Sequence, residues 1–552
     1  MTGRRLLAIG LDCFEISFAE RLIEQGELPV LAARRGVDAY ARLDPGADQR
    51  TGLAWEQFWS GLSPQAAGRE SAVEFDPATY AVWQEGARFA PFFEGAASQA
   101  VVFDAPYVDL ARAPGVRGVV AWGAHDPGLG GPASEPRALL REMERRVGPY
   151  PGDPWLYGTP WASAEDTRQM GIDLAAAVDA RSRAAQWLLG ERFDDWDLGV
   201  VVVSEPHSGA EGLWHGIDPT HPLHDAPSGR AAGDGLTAVY RATDRLVGDL
   251  VTATDPDTVI VFSMGGMGPN RSDAASMALL PELLLRWALG ERRLEVPAQW
   301  AGAPAVVPVG DEDEVTWSRN WFRGVAPAPD APPPSLPSRL VSLLPPATQR
   351  RLRRARAERR AAARPLGFRD LDWQPATWYS DRWPAMRAFA VPSFYDGRIR
   401  VNLRGRESAG IVGLADYQRV CDEVEQLLRE CTDPRTGASV VESIERPGSD
   451  DPVALHSSLA DLVVVWAGCP LALEHPTHGI IGPMPYRRTG GHTSPHGFAS
   501  VTGPGVIPGD YGTACALDVA PTIFELLAGR APSGISGTSL AGALTGASAA
   551  AH

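Results

Sequence analysis

The sequence contains no lysine, so every basic residue except histidine is arginine. Together with abundant alanine, glycine and proline, this indicates the codon usage of a GC-rich genome and carries no functional weight. Cysteine is also scarce. Five scattered cysteines without CxxC spacing predict neither a disulfide framework nor a zinc knuckle, and they favour a reducing compartment.

An excess of positive charge and long apolar runs are missing too. The formal net charge of -17 gives the chain no electrostatic basis for binding DNA or RNA non-specifically. The run Leu6–Gly10 is too short for a signal peptide, and no segment has the apolar length that crosses a bilayer. We therefore expect a cytoplasmic protein that binds neither nucleic acid nor membrane. The composition leaves formation of a homo-oligomer open.

Short apolar runs alternate with helical patterns along most of the 552 residues. The length allows two to four domains, or one large α/β domain with insertions. The alternation predicts a mostly parallel, doubly wound sheet with helices on both faces. The predicted strands are Leu6–Leu11, Ala100–Phe103, Gly118–Trp122, Leu198–Val203, Thr258–Phe262 and Leu462–Trp466, and the predicted helices include Glu15–Glu27, Leu139–Val147 and Met170–Leu189.

Composition divides the chain into four parts. Residues 1–300 are predicted to form the first part of the core, and residues 391–540 its second part. Residues 301–390 are rich in proline, alanine and arginine, which predicts an insertion or cap over the site. Residues 541–552 are predicted to be a frayed tail. The arginine-rich run 350–364 could be a nucleic-acid arm, but its Ala/Glu spacing equally suits a solvated surface helix.

Polar residues follow several predicted strands, at the ends where parallel sheets bind ligands. Asp12 follows the first strand, and Thr51 precedes a helical segment. A carboxylate and a hydroxyl there can bind a metal and serve as a metal-activated nucleophile, although both positions also suit helix caps. His207, Glu211 and His215 follow strand Leu198–Val203 with the i, i+4, i+8 spacing of one helix face. Such a dense cluster favours a metal or acid/base site over core histidines.

Two glycine-rich loops lie later in the chain. The loop 263–270 directly follows a predicted strand and ends at Asn270. The loop 490–497 carries His492 and His496, and it can deliver a ligand to the same edge of the sheet. His125 is a further candidate. We expect Asp12, Thr51, His207, Glu211 and His492 to converge in one pocket at one edge of the sheet.

In this order, the segments resemble the type I phosphodiesterase/nucleotide pyrophosphatase family of the alkaline phosphatase superfamily. The resemblance covers nearly the whole chain and implies an alkaline-phosphatase-like fold. Its segments are Gly10-Leu11-Asp12, Thr51-x-x-Ala54-Trp55, Ser263-x-x-Gly266-Met267-Gly268, Gly491-His492 with Gly503-Pro504-Gly505, and Asp518–Ile523.

The resemblance also implies a site for two metal ions, usually zinc. Asp12, Thr51 and His492 match the family pattern, and two further ligand positions fall on His207 and Glu211. The family's Asp-His pair, in contrast, falls on Met264-Gly265, which cannot coordinate zinc as a carboxylate and an imidazole do. We therefore expect at most one strongly bound divalent ion, zinc or iron.

The implied activity is hydrolysis or transfer of a phosphate or sulfate ester, with a small anionic ester as substrate. Thr51 would be the nucleophile, and Asp12, His207, Glu211 and His492 would bind the ion. Two alternatives stay open: a repurposed, non-hydrolytic enzyme with a 2-His-1-carboxylate metal site, and a catalytically inactive scaffold. The additional candidate site residues are His215, His496, His125 and Asn270.

Overall fold

The computed structural model describes residues 5–93, 97–126, 128, 131–152, 163–309, 317, 319–325, 368–369, 371–447, 451–530 and 532–546. Most of the predicted insertion 301–390, with its arginine-rich run, lies outside these residues, as does the end of the predicted tail.

The strands are short, and many match the apolar runs of the sequence. They are β1 (Leu6–Leu11), β2 (Ala39–Asp44), β3 (Val73–Phe75), β4 (Val82–Glu85), β5 (Ala100–Phe103), β6 (Val116–Val120), β7 (Ala133–Glu135), β8 (Leu198–Val203), β9 (Thr258–Ser263), β10 (Gly266–Pro269), β11 (Phe368–Arg369), β12 (Ala388–Val391), β13 (Gly397–Val401), β14 (Val441–Glu445), β15 (Leu462–Trp466), β16 (Leu473–His475), β17 (Gly479–Ile481), β18 (Gly490–Ser494), β19 (Gly497–Thr502) and β20 (Gly509–Cys515).

Helices connect most of these strands. The α-helices are α1 (Ile16–Glu24), α2 (Pro29–Val37), α3 (Ala54–Ser60), α4 (Pro64–Ala67), α5 (Leu139–Val147), α6 (Ala164–Gln186), α7 (Glu205–Leu213), α8 (Gly229–Thr254), α9 (Leu280–Leu289), α10 (Tyr417–Arg429), α11 (Val519–Ala528) and α12 (Ala541–Leu544). No helix of the described residues combines the length and the hydrophobicity that crossing a membrane requires.

The central sheet has nine strands in the order β20-β2-β19-β9-β1-β8-β5-β6-β7. Its middle is parallel, with β1 pairing with both β8 and β9. Strand β19 runs antiparallel to both of its neighbours, and β7 runs antiparallel to β6. The predicted mostly parallel, doubly wound sheet is therefore confirmed.

Helices cover both faces of this sheet. In β1, Leu7, Ile9 and Leu11 pack into one core with apolar residues of α1, α6 and α8, while Leu6 and Ala8 pack into another with α3 and α11. Because both faces are buried, the central strands read as continuous apolar runs rather than alternating ones.

A second, antiparallel sheet has the order β12-β13-β15-β14 and packs with α9 and α10 around its own core. The predicted strand Leu462–Trp466 has the correct bounds, but it lies in this sheet and not in the doubly wound one. The short apolar run could not show which sheet the strand joins, because its pairing partner, Gly397–Val401, lies about sixty residues upstream.

Described parts of the predicted cap contribute to the same second core. Trp317, Phe322 and the 3₁₀ turn Pro375–Tyr379 pack there. Among the described residues of 301–390, none lines the cavity at the edge of the central sheet. That the segment covers the site stays a prediction.

Candidate metal site

The carboxyl ends of β1, β8 and β9 open onto one cavity of about 80 Å³. Polar side chains contributed by loops after several strands meet there, as expected at this edge of a parallel sheet. The polar lining residues include Asp12, Cys13, Gln57, His125, Asp126, His207 and His492, and aromatic side chains of Trp55, Phe58, Tyr107 and Tyr395 form much of the remaining wall.

Asp12, His207 and His492 form a continuous chain of contacts. Asp12 Oδ2 lies 2.9 Å from His207 Nδ1, and Trp55 Nε1 donates to Asp12 Oδ1 at 2.8 Å. The other nitrogen of His207, Nε2, lies 3.0 Å from His492 Nε2. A carboxylate on one imidazole nitrogen is the usual way to orient the other nitrogen toward a metal. Burial lowers the pKa of His492 well below its ordinary value, which favours the neutral form that binds metals.

Backbone pairing explains how His492 reaches this place. It lies on β18, which pairs antiparallel with β10 in the glycine-rich loop after β9. A Cβ atom at Gly268 would lie 2.2 Å from Thr493 Oγ1, so a larger residue there would displace the hydroxyl that donates to Pro269 O. The two glycine-rich loops of the sequence thus pair as two antiparallel strands, and this pairing places His492 beside His207.

His125 and Glu211 form a second group with His207. The Nε2 atoms of His125 and His207 lie 3.5 Å from Glu211 Oε2 and Oε1, respectively, and the two imidazole rings are 3.8 Å apart between centroids. Helix α7 places His207 and Glu211 on one face, one turn apart, as their spacing predicted. Glu211 is completely buried, yet its Oε2 has no hydrogen-bond partner in the described part of the chain. A buried carboxylate oxygen of this kind fits a cation ligand.

Cys13 is a further potential metal ligand at this site, and no sequence pattern indicated it. It directly follows Asp12 with a φ of 50°, a left-handed conformation that is uncommon outside glycine. Its Sγ lies 3.4 Å from His492 Nδ1. Burial raises the pKa of the thiol to about 11, so the thiol is neutral without a nearby cation. Its position next to a strand-end aspartate was the only available signal.

These side chains fit a metal ion in two overlapping sets. Potential ligand atoms of Cys13, His207 and His492 lie within 4.8 Å of one another, and so do those of His125, His207 and Glu211. Imidazole, thiolate and carboxylate are all ligands of Zn²⁺ and similar ions. Both sets use His207, whose Nδ1 is occupied by Asp12. Within the described residues, the two sets therefore share one ligand.

Glu211 also belongs to a buried cluster of ion pairs. Arg488 binds both Glu211 and Asp273, and Arg487 Nε also donates to Asp273 Oδ2, at 3.0 Å. The two guanidinium groups and two carboxylates balance in charge. Sequence reasoning missed Arg487 and Arg488, although they lie just before the Gly-His loop.

Thr51 lies beside the cavity rather than among the imidazoles. It ends the 3₁₀ helix Gly46–Thr51, and its Oγ1 accepts hydrogen bonds from Leu53 N at 3.2 Å and Gln57 Nε2 at 2.9 Å. Gly52 and Gln57 line the cavity. These contacts fix the hydroxyl, and they suit both a positioned nucleophile and a structural turn.

Met264 and Gly265 line the same cavity, and Met264 is buried. This part of the wall therefore offers a thioether and backbone where the resemblance implied a carboxylate and an imidazole.

Three of the additional candidates lie outside both ligand sets. His215 Nδ1 contacts Thr489 Oγ1 at 3.3 Å and its Nε2 contacts Ser228 Oγ at 3.1 Å. Helix α7 ends at Leu213, so the i+8 position no longer shares its face. Asn270 donates to Gly490 O at 3.2 Å and so links the two glycine-rich loops. His496 joins neither set of potential ligands within the described residues.

No protein-family model and no curated protein matches the sequence. Solved structures do match along nearly the full length. A phosphonoacetate hydrolase from Sinorhizobium meliloti 1021 is 13% identical, with a TM-score of 0.44, and the match covers 91% of this chain and 90% of that one. Human ectonucleotide pyrophosphatase/phosphodiesterase 5 is 10% identical, with a TM-score of 0.48 and coverage of 98% and 99%. The murine protein is 11% identical, with a TM-score of 0.44 and coverage of 97% and 98%.

The matched structures include the group that the sequence motifs resemble. At these identities and TM-scores the likeness carries no conclusion about activity or substrate.

Proposed function

We propose that the protein is a metal-dependent hydrolase or transferase of small phosphate or sulfate esters that uses one divalent ion. The observation that supports this most is the position of His207. Its Nδ1 is held by Asp12, and its Nε2 faces His492 and Glu211. An imidazole fixed in this way binds a single ion, in keeping with the loss of the Asp-His pair at Met264-Gly265.

The chain's own residues have separate tasks in this proposal. His207 and His492 hold the ion, Asp12 orients His207, and Thr51 attacks the ester. Gln57 and the backbone of Leu53 fix the Thr51 hydroxyl beside the cavity, next to the lining residue Gly52. When bound, the ion supplies positive charge that stabilises the developing negative charge on the ester oxygens.

The aromatic part of the cavity wall indicates the rest of the substrate. Trp55, Phe58, Tyr107 and Tyr395 all line the cavity. An ester whose alcohol part is flat and apolar would bury that part against these rings. We therefore expect aryl esters to react faster than alkyl esters of the same acid.

The proposal is tested by comparing Thr51→Ala with Thr51→Ser on aryl phosphate monoesters, aryl phosphate diesters and aryl sulfates. Thr51→Ala is expected to lower the rate on the best ester by on the order of 10³-fold or more, because the attacking oxygen is lost. Thr51→Ser keeps that oxygen and should retain most of the activity. Metal content, measured by elemental mass spectrometry, should stay the same in both variants. A Thr51→Ala protein with the wild-type rate would refute Thr51 as nucleophile.

A second candidate function is favoured by the group of His125, His207 and Glu211. Two imidazoles and one carboxylate form the set used by non-haem Fe²⁺ enzymes, which need not hydrolyse esters. Loading the metal-free protein with equimolar Zn²⁺ and Fe²⁺ under anaerobic conditions separates the two functions. Retention of iron against zinc, without esterase activity, would favour this second function. Retention of neither ion would favour a scaffold.

A further inference from the structure

Cys13 lies where a third ligand of the proposed ion would be needed. Its Sγ, His207 and His492 present potential ligand atoms within 4.8 Å of one another, and Cys13 and both imidazoles line the cavity. On the basis of the proposed metal-dependent function, we propose that Cys13 binds the ion as a thiolate together with His207 and His492.

Charge distinguishes this set from the one with Glu211. The carboxylate of Glu211 is already paired with Arg488, within a buried cluster in which Arg487 and Arg488 balance Asp273 and Glu211. A divalent ion bound to Glu211 would therefore add uncompensated positive charge to that cluster, which is costly in a buried site.

The set with Cys13 offers the complementary negative charge at His207. Asp12 contributes one negative charge there, and deprotonation of Cys13 would add a second. Binding of the ion would break the S–H bond and release the proton to solvent, so that one carboxylate and one thiolate balance the two positive charges.

The backbone of Cys13 supports the same inference. A φ of 50° is unfavourable in a residue other than glycine, and such strain is found preferentially at functional sites. Here it allows consecutive residues to act on the same ion: Asp12 through the Nδ1 of His207, and Cys13 directly. The site would consequently prefer Zn²⁺ and Co²⁺ over hard cations such as Mg²⁺, which prefer oxygen ligands.

Cobalt provides a direct test on the full chain. Co²⁺ bound to a thiolate gives an intense charge-transfer absorption band in the near ultraviolet, which Co²⁺ bound only to nitrogen and oxygen lacks. Wild-type protein titrated with Co²⁺ is expected to show this band at one ion per chain. Cys13→Ser should remove the band, whereas Cys469→Ser, at a cysteine packed in the second core, should retain it.

The outcomes separate the inference from the function on which it rests. Bound Co²⁺ without the band in wild-type protein would overturn Cys13 as a ligand and leave the single-ion function intact, with the ion at His125, His207 and Glu211. No bound Co²⁺ in wild-type protein would overturn both. If Cys13→Ser fails to fold, X-ray absorption of zinc-loaded wild-type protein decides: a sulfur ligand at about 2.3 Å is expected, and nitrogen and oxygen ligands alone would refute it.

Discussion

Asp12 acts on the proposed ion through an imidazole. Its Oδ2 lies 2.9 Å from His207 Nδ1, and its Oδ1 accepts a hydrogen bond from Trp55 Nε1. Asp12→Asn keeps the shape of the side chain but removes the charge that orients and polarises His207. We expect metal affinity to fall by about 10- to 100-fold, as measured by competition with a chelator of known affinity.

Trp55→Phe is the matched control for this change. It removes the hydrogen bond to Oδ1, together with part of a ring at the cavity, but keeps the carboxylate that faces His207. Its metal affinity should therefore stay closer to that of the wild type than the affinity of Asp12→Asn. Equal affinities for Asp12→Asn and wild-type protein would show that Asp12 has no role in positioning the ligand.

Among single residues, the sequence predicted those whose position follows a simple rule of secondary structure. Asp12 follows a strand, and His207 and Glu211 have helix spacing; the structure brings them together with His492. Cys13 was missed because a lone cysteine has no pattern, and its proposed role depends on contacts that arise only in the fold. His215 was assigned by continuing the spacing past Leu213, where the helix ends.

Helices α6 and α8 cross where two glycines meet. A Cβ atom at Gly171 would lie 2.5 Å from Gly235 Cα, so the helix backbones are nearly in contact. Gly171→Ala would push the helices apart, and we expect it to lower the free energy of unfolding by about 1–3 kcal/mol, measured by urea denaturation.

Gly36→Ala provides the opposite case in helix α2. Nothing lies within 4 Å of the Cβ atom it would add. The alanine restricts the unfolded chain without a clash, so the free energy of unfolding should rise by about 0.4–1 kcal/mol. If both alanine variants changed stability alike, the close helix crossing would be incorrect.

Arg181 of α6 joins the two segments that carry His125 and His207. It is fully buried and binds Asp104 at 2.6 Å and Glu205, the first residue of α7, at 2.9 Å. Asp104 in turn accepts hydrogen bonds from the backbone of Trp122 and Gly123. Arg181 therefore links the segment before His125 to the start of the helix that carries His207.

Arg181→Met would leave two buried carboxylates without their cation. We expect a loss of about 3–5 kcal/mol in the free energy of unfolding by urea denaturation, together with weaker metal binding. Arg183→Met, at an exposed position of the same helix, should change stability by less than about 0.5 kcal/mol. A small effect of Arg181→Met would mean that the carboxylates are protonated or hydrated in the folded protein.

At the scale of elements, apolar runs predicted all six strands to within two residues at each end, and five of the six lie in the central sheet as predicted. Leu6–Leu11, Ala100–Phe103 and Leu198–Val203 were predicted with the bounds they have in the central sheet. Leu462–Trp466 was equally well bounded, yet it pairs with β13 in the second sheet. Local patterns report burial, whereas the pairing of a strand is decided by contacts distant in sequence.

For the molecule as a whole, buried neutral histidines predict sensitivity to acid. Burial lowers the pKa of His215 to about 3 and that of His221 to about 4. In the unfolded chain both titrate near the ordinary value of 6.5. Between these values the unfolded state binds more protons than the folded state, so stability falls as the pH is lowered from about 6.5 toward 4.

Each such imidazole contributes at most about 1.4 kcal/mol per pH unit to this slope. His215→Asn should therefore make the fall in the free energy of unfolding shallower across this range, as followed by urea denaturation at several pH values with a chelator present. An unchanged slope would show that His215 is not held neutral in the folded protein.

The order of strands in the central sheet has a consequence for how the protein is made. Strand β2, near the start of the chain, lies between β19 and β20 and pairs with residues more than 450 positions later. During synthesis, β2 lacks both of its partner strands until β19 and β20 have emerged, and until then its apolar residues Ala39, Tyr40 and Leu43 lack the cover that they have in the folded sheet. His492 emerges at the same late stage. A nascent chain therefore completes the ligand set of Cys13, His207 and His492 only as it closes the sheet, and a ribosome that stalls before residue 490 leaves a chain with neither this set nor a closed sheet.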